Sequence, residues 1–357
     1  MNFIGIYKKL HQFLDSISDM RRYYIFDNLR KRQSMQMPKL TLAQKDSIKA
    51  LFNKYHKVKF YSHSFYTNIT GTFSQNYIPD SLWYAYIEPF YNPRTMAKYI
   101  DDKTLYSRLL CMRGGVVHPN NIGYKINGFW VDDKFNHIDE ENLIKNAKKY
   151  HVVFLKEATD SAGGHGVTRF IMPDDERSLM VALAEMDCNA VLQVGINQHP
   201  VMRALNPSSV NTIRVLSHLT QEGEVIIRSV VVRIGQAGSF VDNASSGGFT
   251  VGVNPDGSLK NIGYDTSGKK YYTSTDGHTA LETFKIPKYE QLSGCIEKLA
   301  WQLSMFRLLS WDIAIDAEGN FVLIEVNMHS GQLDFHQMNN GPVFGNDTEN
   351  VLKEVFQ

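Results

Sequence analysis

Three oxygen-bearing side chains toward the C-terminal end, Asp312, Glu325 and Asn327, have the types and spacing to hold a hard cation. Glu325 and Asn327 lie two apart in the run FVLIEVN (Phe321 to Asn327), and side chains two apart on a strand share a face. Asp312 falls in WDIAID (Trp311 to Asp316), and the intervening Gly-containing turn AEGN predicts a hairpin that brings it beside them. Two carboxylates and an amide oxygen among apolar neighbours suit Mg2+, and burying such carboxylates without a cation is costly. On an exposed hairpin the same residues would simply be solvated. A second feature is the stretch Ser161-Ala162-Gly163-Gly164-His165-Gly166, shortly after Lys156. Glycines let backbone N–H groups approach a phosphate, and a lysine adds a point charge. The stretch lacks G-K-[ST] and opens a strand where a helix would be needed, so it is neither a Walker loop nor a Rossmann fingerprint. Taken alone, it also fits a flexible turn.

Strands are needed to carry both features, and the sequence supplies them. HVVFLKEA (His151 to Ala158) reads as the strand bearing Lys156, and VTRFIM (Val167 to Met172) as the strand after the loop. A helix over Glu176 to Met186 and the strand AVLQV (Ala190 to Val194) follow. Longer β segments cover Thr212 to Thr220, Val225 to Gly235 and Gly248 to Asn254, and a helix covers residues 288–308. Upstream, KINGFWVDD (Lys125 to Asp133) predicts two strands turning at Asn127-Gly128, and Leu105 to Met112 a helix. Residues 1–57 read as helical, with Phe3, Ile6, Tyr7, Leu10 and Ile48, Leu51, Phe52 at helical spacing. Such a helix either packs against the body or, over its first 25 residues, rests on a membrane surface. The expected units are a helical region 1–57, an α/β part 58–137, a small lobe 138–194 and a large lobe 195–357.

Lys103 in DDKTLYSRLL, Lys156 before the Gly-rich loop, Gln193-Val194 in AVLQV and the Asp312…Glu325-x-Asn327 set occur in the order of the ATP-grasp superfamily, which the chain resembles. FVDNASSGG (Phe240 to Gly248) is similar to an F-x-x-N-x-x-x-G-G element of glutamate-adding members, and NTIRV (Asn211 to Val215) to their D-x-R-type strand. The arrangement from LWYAYIEPFYNPRTMAKYIDDKTLYSRLL through NTIRV and WDIAID to IEVN most closely resembles the sugar-transfer-associated ATP-grasp family.

That resemblance implies an α/β (α+β) ATP-grasp fold with a helical N-terminal extension and nucleotide held between two lobes. It implies Lys103, Lys156, Ser161, Gly163, Gly164, His165 and Gly166 around the phosphates of ATP, Gln193 and Val194 against adenine, and Mg2+ on Asp312, Glu325 and Asn327. Arg214 and Arg233 would face the transferred phosphoryl group. Asn211, Arg228, Asn243, Gly247, Gly248, His329 and Ser330 would face the substrates. Two departures stand out. The hinge lacks the ribose-binding Glu of many members, so Gln193 or Gln198-His199 would take that contact. Ser310 stands where some peptide ligases have an Arg, so positive charge must come from Arg214, Arg228 or Arg233. The implied activity is an ATP-dependent carboxylate–amine ligase working through an acyl phosphate, joining an amino acid or amine to a sugar acid of a surface polysaccharide. Alternatives are a kinase on the same fold, or a non-catalytic nucleotide-binding partner of a glycosyltransferase.

Composition agrees. The 357 residues carry 38 basic and 37 acidic side chains, a balance that argues against nucleic acid as the partner. With 43% hydrophobic and 12% aromatic residues the chain buries substantial cores. No window reaches a membrane span, and Lys8, Lys9 and Asp15 interrupt any signal-like run, which points to a cytoplasmic protein. Cys111, Cys188 and Cys295 show no metal-ligand spacing and read as buried small hydrophobes in a reducing compartment.

Overall fold

The structure is a computed structural model that describes residues 3–110, 115–159, 166–240, 247–329 and 331–357, without the side chains of 3–16 and 99. Its strands are β1 (Val116–Val117), β2 (Asn121–Ile126), β3 (Phe129–Asp132), β4 (Val152–Glu157), β5 (Val167–Ile171), β6 (Ala190–Val194) and β7 (Thr212–Leu219). They continue with β8 (Val225–Ile234), β9 (Phe249–Val253), β10 (Leu259–Tyr264), β11 (Lys270–Tyr271), β12 (Leu308–Ile315) and β13 (Phe321–Asn327). A five-stranded sheet has the order β3-β2-β6-β4-β5, and an eight-stranded sheet the order β1-β13-β12-β7-β8-β9-β10-β11. The pairs of the small sheet are antiparallel, as are those around β12, whereas β1 lies parallel to β13.

Helices α1 (Phe3–Ser34), α2 (Leu42–Phe52) and α3 (Tyr61–Thr70) come first, followed by α4 (Asp80–Leu82), a π-helical turn (Trp83–Ile87) and α5 (Glu88–Tyr91). Next are α6 (Arg94–Ile100), α7 (Lys103–Leu109), α8 (Glu140–Ala147), α9 (Glu176–Glu185) and α10 (Pro200–Arg203). The last are α11 (Tyr289–Gln302), α12 (Leu333–Asn340) and α13 (Thr348–Phe356). Local chemistry sets several starts. Thr41 and Gln44 form a reciprocal capping box on α2, each side chain accepting from the other's backbone N–H at 3.2 and 2.9 Å. Asp139 caps α8, with Glu140 and Glu141 in the first turn against the helix dipole. The β2–β3 turn is the one expected: Asn127 and Gly128 both take positive φ, 49° and 88°, which matches the twist of a two-residue hairpin.

Each sheet has a separate apolar core. In the small lobe Leu143, Ile144, Leu155, Phe170, Leu179, Leu183 and Leu192 close α8 and α9 over one face of the five-stranded sheet. In the large lobe Ile213, Val215, Val232, Val251, Trp311 and Ile313 pack on α11 through Ile296 and Leu299. A further cluster on Leu216 and Leu308 joins α2 (Ile48, Leu51, Phe52), the π-helical turn (Trp83) and α13 (Val351, Leu352). β7 is therefore covered on both sides, and all eight of its residues are buried.

Three expectations are corrected. The small sheet crosses the boundary placed at 137, because β2 pairs with β6, Tyr124 opposite Val191. The first half of the 58–137 segment is helical, and its β1 joins the large sheet through β13. Of the cysteines, Cys295 is buried but Cys188 is exposed, and Cys111 lies outside the described residues.

The N-terminal extension is tied in through one buried cation. Arg30, 1% exposed, donates to Asp80 at 2.7 Å, pairs with Asp334 of α12 at 3.1 Å and stacks 4.3 Å over the Phe65 ring. Asp80 accepts further bonds from Tyr66 and Ser62 at 2.8 and 2.9 Å. Removing the guanidinium leaves two carboxylates facing each other in the core. Arg30→Met is expected to cost about 3 kcal/mol or more, read as a lower urea midpoint. An unchanged midpoint would show that the network does not hold α1 to α12.

Candidate functional site

Strand register puts the three expected oxygen ligands and two arginines in one row. β12 lies between β7 and β13, with Asp312 opposite Arg214 on one side and Glu325 on the other, and Ser310 opposite Asn327. Cross-strand partners share a face, so Arg214, Asp312, Glu325 and Asn327 point the same way, away from the apolar face on α11. β8 adds Arg233, opposite Thr212.

Asp312 is the hub. Arg214 donates to its two oxygens from Nε and Nη2 at 2.8 and 2.7 Å, and Arg233 donates to Oδ2 at 2.9 Å. Burial alone would raise its pKa, but the guanidiniums of Arg214 and then Arg233 outweigh burial and hold the carboxyl below its ordinary value. Arg214 Nη1 also donates to Gln332, which enters α12 at a left-handed φ of 58°. Of the three arginines expected to replace the missing Arg at position 310, the structure brings Arg214 and Arg233 to the row. It also shows why Ser310 is small. A Cβ on Gly331 would lie 2.5 Å from Ser310 Oγ, so the loop after β13 passes directly over that position. Asn92 braces the same place, donating to the carbonyls of Leu308 and Met328.

The two lysines are positioned together. Lys103 opens α7 behind Asp102, whose carboxylate accepts from Thr104 N at 2.8 Å, and the Lys103 N–H donates to Ala158 O, just past β4, at 3.0 Å. Lys103 Nζ lies 3.2 Å from Glu325 Oε1, an ion pair that ties α7 to the candidate metal set. On β4, Val153 and Leu155 face the small core and Lys156 faces the opposite way. Lys156 Nζ donates to Gln193 Oε1 at 2.6 Å, Gln193 Nε2 to Asn121 Oδ1 at 2.8 Å, and Asn121 Nδ2 to the Tyr124 hydroxyl at 3.0 Å. Ser107 of α7 hydrogen-bonds that hydroxyl at 3.1 Å. Sequence reasoning missed Asn121, Tyr124 and Ser107. The β2–β6 register shifts between Asn121 and Gly123, and no local pattern signals it.

Other expected residues lie elsewhere. Ser161, Gly163, Gly164, His165, Asn243 and Ser330 fall outside the described residues. Gly166 takes φ 70° against Glu157, and Gly247 takes φ 92° against Gln236, leading through Gly248 into β9. Asn211, expected to face a substrate, forms a buried strut with Gln198, Met202 and Asn206. Fully buried, its amide donates to Gln198 Oε1 and to the carbonyls of Met202 and Asn206 at 3.2, 2.8 and 3.0 Å. Gln198, one candidate for the ribose, is held in the same strut through Ser209 O at 3.2 Å. Arg228, expected to face a substrate too, is held elsewhere. The register break between Leu216↔Ser229 and Ser217↔Ile227 makes it the extra residue of a bulge, which aims it at Asp347 (2.6 Å) and the Phe344 ring. His329 is half-buried, and burial with the charges of Arg22 and Arg94 pushes its imidazole down to about 4.

A cleft of about 550 Å³ opens where β6 leaves the small sheet, lined by Phe154, Arg169, Val194, Ile196 and Phe240 among others. The family model of sugar-transfer associated ATP-grasp proteins matches residues 84–353. The chain belongs to this family.

Solved structures similar in fold to this sugar-transfer-associated ATP-grasp protein include the N5-carboxyaminoimidazole ribonucleotide synthetase of Thermotoga maritima (11% identity, 67% of this chain, TM-score 0.38). The ATP-grasp ligase PsnB with its minimal precursor is another (14%, 74%, 0.41), as is the D-alanyl-alanine synthetase A of Vibrio cholerae (14%, 74%, 0.37). The chain spans 44%, 64% and 66% of the lengths of these proteins. No curated protein matches it in sequence.

The donor chemistry of the ATP-grasp row fits Mg2+. Asn327 turns its amide NH2 toward Ser310 O and Asp312 Oδ2, at 3.5 and 3.4 Å, which leaves its oxygen outside that pair. Glu325 retains 26% side-chain exposure, so solvent reaches it. Among the described residues no three His, Cys, Asp or Glu side chains gather as a metal cluster.

Proposed function

We propose that the chain is an ATP-dependent carboxylate–amine ligase that joins an amine or amino acid to a sugar acid in surface-polysaccharide assembly. The observation that supports this most is the single row Lys103–Glu325, Asn327, Asp312–Arg214 and Arg233, with Lys156 on the outward face of the small sheet. Mg2+ held by Glu325, Asn327 and Asp312 would neutralise phosphate charge. Lys103 and Lys156 grip the phosphates of ATP as point charges. Arg214 and Arg233 keep fixed positive charge beside the reacting centre, and their links to Asp312 and Gln332 orient the donors before substrate arrives. A substrate carboxylate oxygen attacks the γ-phosphorus and ADP leaves. An amine then attacks the acyl carbon of the acyl phosphate, loses a proton, and inorganic phosphate departs.

One observation favours a second reading, nucleotide binding without turnover: both oxygens of Asp312 already accept from guanidiniums. Calorimetric titration of a non-hydrolysable ATP analogue, with and without Mg2+, separates the readings when paired with a phosphate-release screen of amino acids and sugar acids. Wild type is expected to bind in a Mg2+-dependent way, and Glu325→Gln at least about tenfold more weakly. Equal Mg2+-dependent binding by both proteins would remove Glu325 from the metal set. Tight binding with no phosphate release from any acceptor pair would favour the non-catalytic reading.

A further inference from the structure

Helix α1 lies N-terminal to the family-matched span and has two unlike faces. Its inner face is fully employed. Phe26 stacks on Tyr84 at 3.9 Å, Tyr23 meets His56 and Tyr86, Asp19 pairs with Arg94, and Arg30 enters the buried network. On its outer face Ile17, Met20, Tyr24, Ile25 and Leu29 recur at helical spacing and are 41–59% exposed. Arg21, Lys31 and Arg32 are exposed among them. The acids of residues 17–35 are Asp19 and Asp27, and neither is an exposed residue.

Single exposed apolar side chains need no explanation, but five on one face along about 18 Å of helix do. Its charge decides what fits. A second copy docking across a two-fold axis would set this patch against itself, bringing Arg21, Lys31 and Arg32 against their own copies with no exposed carboxylate to meet them. A surface with dense negative charge and an apolar interior just beneath it answers both features. The basic side chains reach phosphates while Met20, Tyr24 and Ile25 enter the acyl boundary. We propose that the outer face of α1 is a docking surface for an anionic lipid bilayer, with the helix lying in the membrane plane. Among the described residues no helix is long and apolar enough to cross a membrane, so the contact is peripheral. The inference is independent of the ligase reading.

The test is flotation of the full chain with vesicles of phosphatidylcholine containing one-third phosphatidylglycerol, against phosphatidylcholine alone. Wild type is expected to float with the anionic vesicles and much less with the neutral ones. Arg21→Gln/Arg32→Gln is expected to lose about twentyfold in partitioning. Met20→Ser/Ile25→Ser is expected to lose binding as well, with an unchanged melting temperature because all four positions are exposed. Failure of wild type to float, equal flotation on both vesicle types, or undiminished binding by either variant overturns the proposal. So does sedimentation showing a wild-type dimer that Met20→Ser/Ile25→Ser dissociates, since a second copy would then occupy the face.

Discussion

Arg214→Met is expected to lower ATP turnover by about 10²–10³ and stability by about 3–5 kcal/mol. Both effects trace to one carboxylate. Asp312 is 2% exposed and receives two of its three guanidinium bonds from Arg214. Without them Arg233 alone must offset the burial of a charge, and the carboxyl rises toward its neutral form. Adding Asp312→Asn should therefore restore most of the stability, because a neutral amide is cheaper to bury, while restoring none of the turnover. Urea unfolding and single-turnover phosphate release measure the two quantities separately. A wild-type midpoint in Arg214→Met would show that the pair does not stabilise the sheet. Recovered turnover in the double variant would take Arg214 away from the phosphoryl group.

Acid should weaken the protein well above the carboxylate range. His63, His218 and His336 are at most 2% exposed. Burial pushes their imidazoles down to about 4, about 3 and about 3, with Arg228 adding to the effect at His218 and Arg214 at His336. All three are neutral in the folded state, and each unfolded counterpart takes a proton near pH 6.5. The stability they contribute is complete above that pH and falls steadily as pH drops toward their folded values. Between pH 7 and 5 each accounts for roughly 2 kcal/mol, together about 6 kcal/mol. Asp334, whose pKa burial raises, works in the opposite sense. The measurement is the urea midpoint from pH 8 to 5. A flat profile would mean these imidazoles are already charged or never buried. His329 adds to the slope in the same sense, so His336→Gln, which still offers Ser229 a hydrogen-bond partner, should reduce it by about a quarter.

The elements that carry the site were legible because each has a local signature. AVLQV ends where predicted, at Val194, and Gly319 at φ 82° closes the β12–β13 turn over which Asp312 meets Glu325. Their alternation or turn chemistry is written within a dozen residues. What failed depends on register between distant strands. Arg228 reads as equivalent to Arg233 on β8 and Arg214 on β7, and a single bulge aims it away from the site. Asn211 sits in a motif-like strand start, yet its partners Gln198 and Asn206 precede that strand. The chain from Lys156 through Gln193 to Asn121, Tyr124 and Ser107 links four separate stretches of sequence. Helix α12, which brings Gln332 to Arg214 and Asp334 to Arg30, left no periodic signal strong enough to read because nearly every one of its residues is buried.

Each sheet closes over an apolar cluster of its own, one around Leu155 and Phe170, the other around Trp311 and Ile313. A change of side-chain volume in one is absorbed without disturbing the other. The interiors of the two halves can thus diverge at their own pace across the lineage. Pairs that join separate elements, such as Lys103 with Glu325 and Arg214 with Asp312, must instead change together.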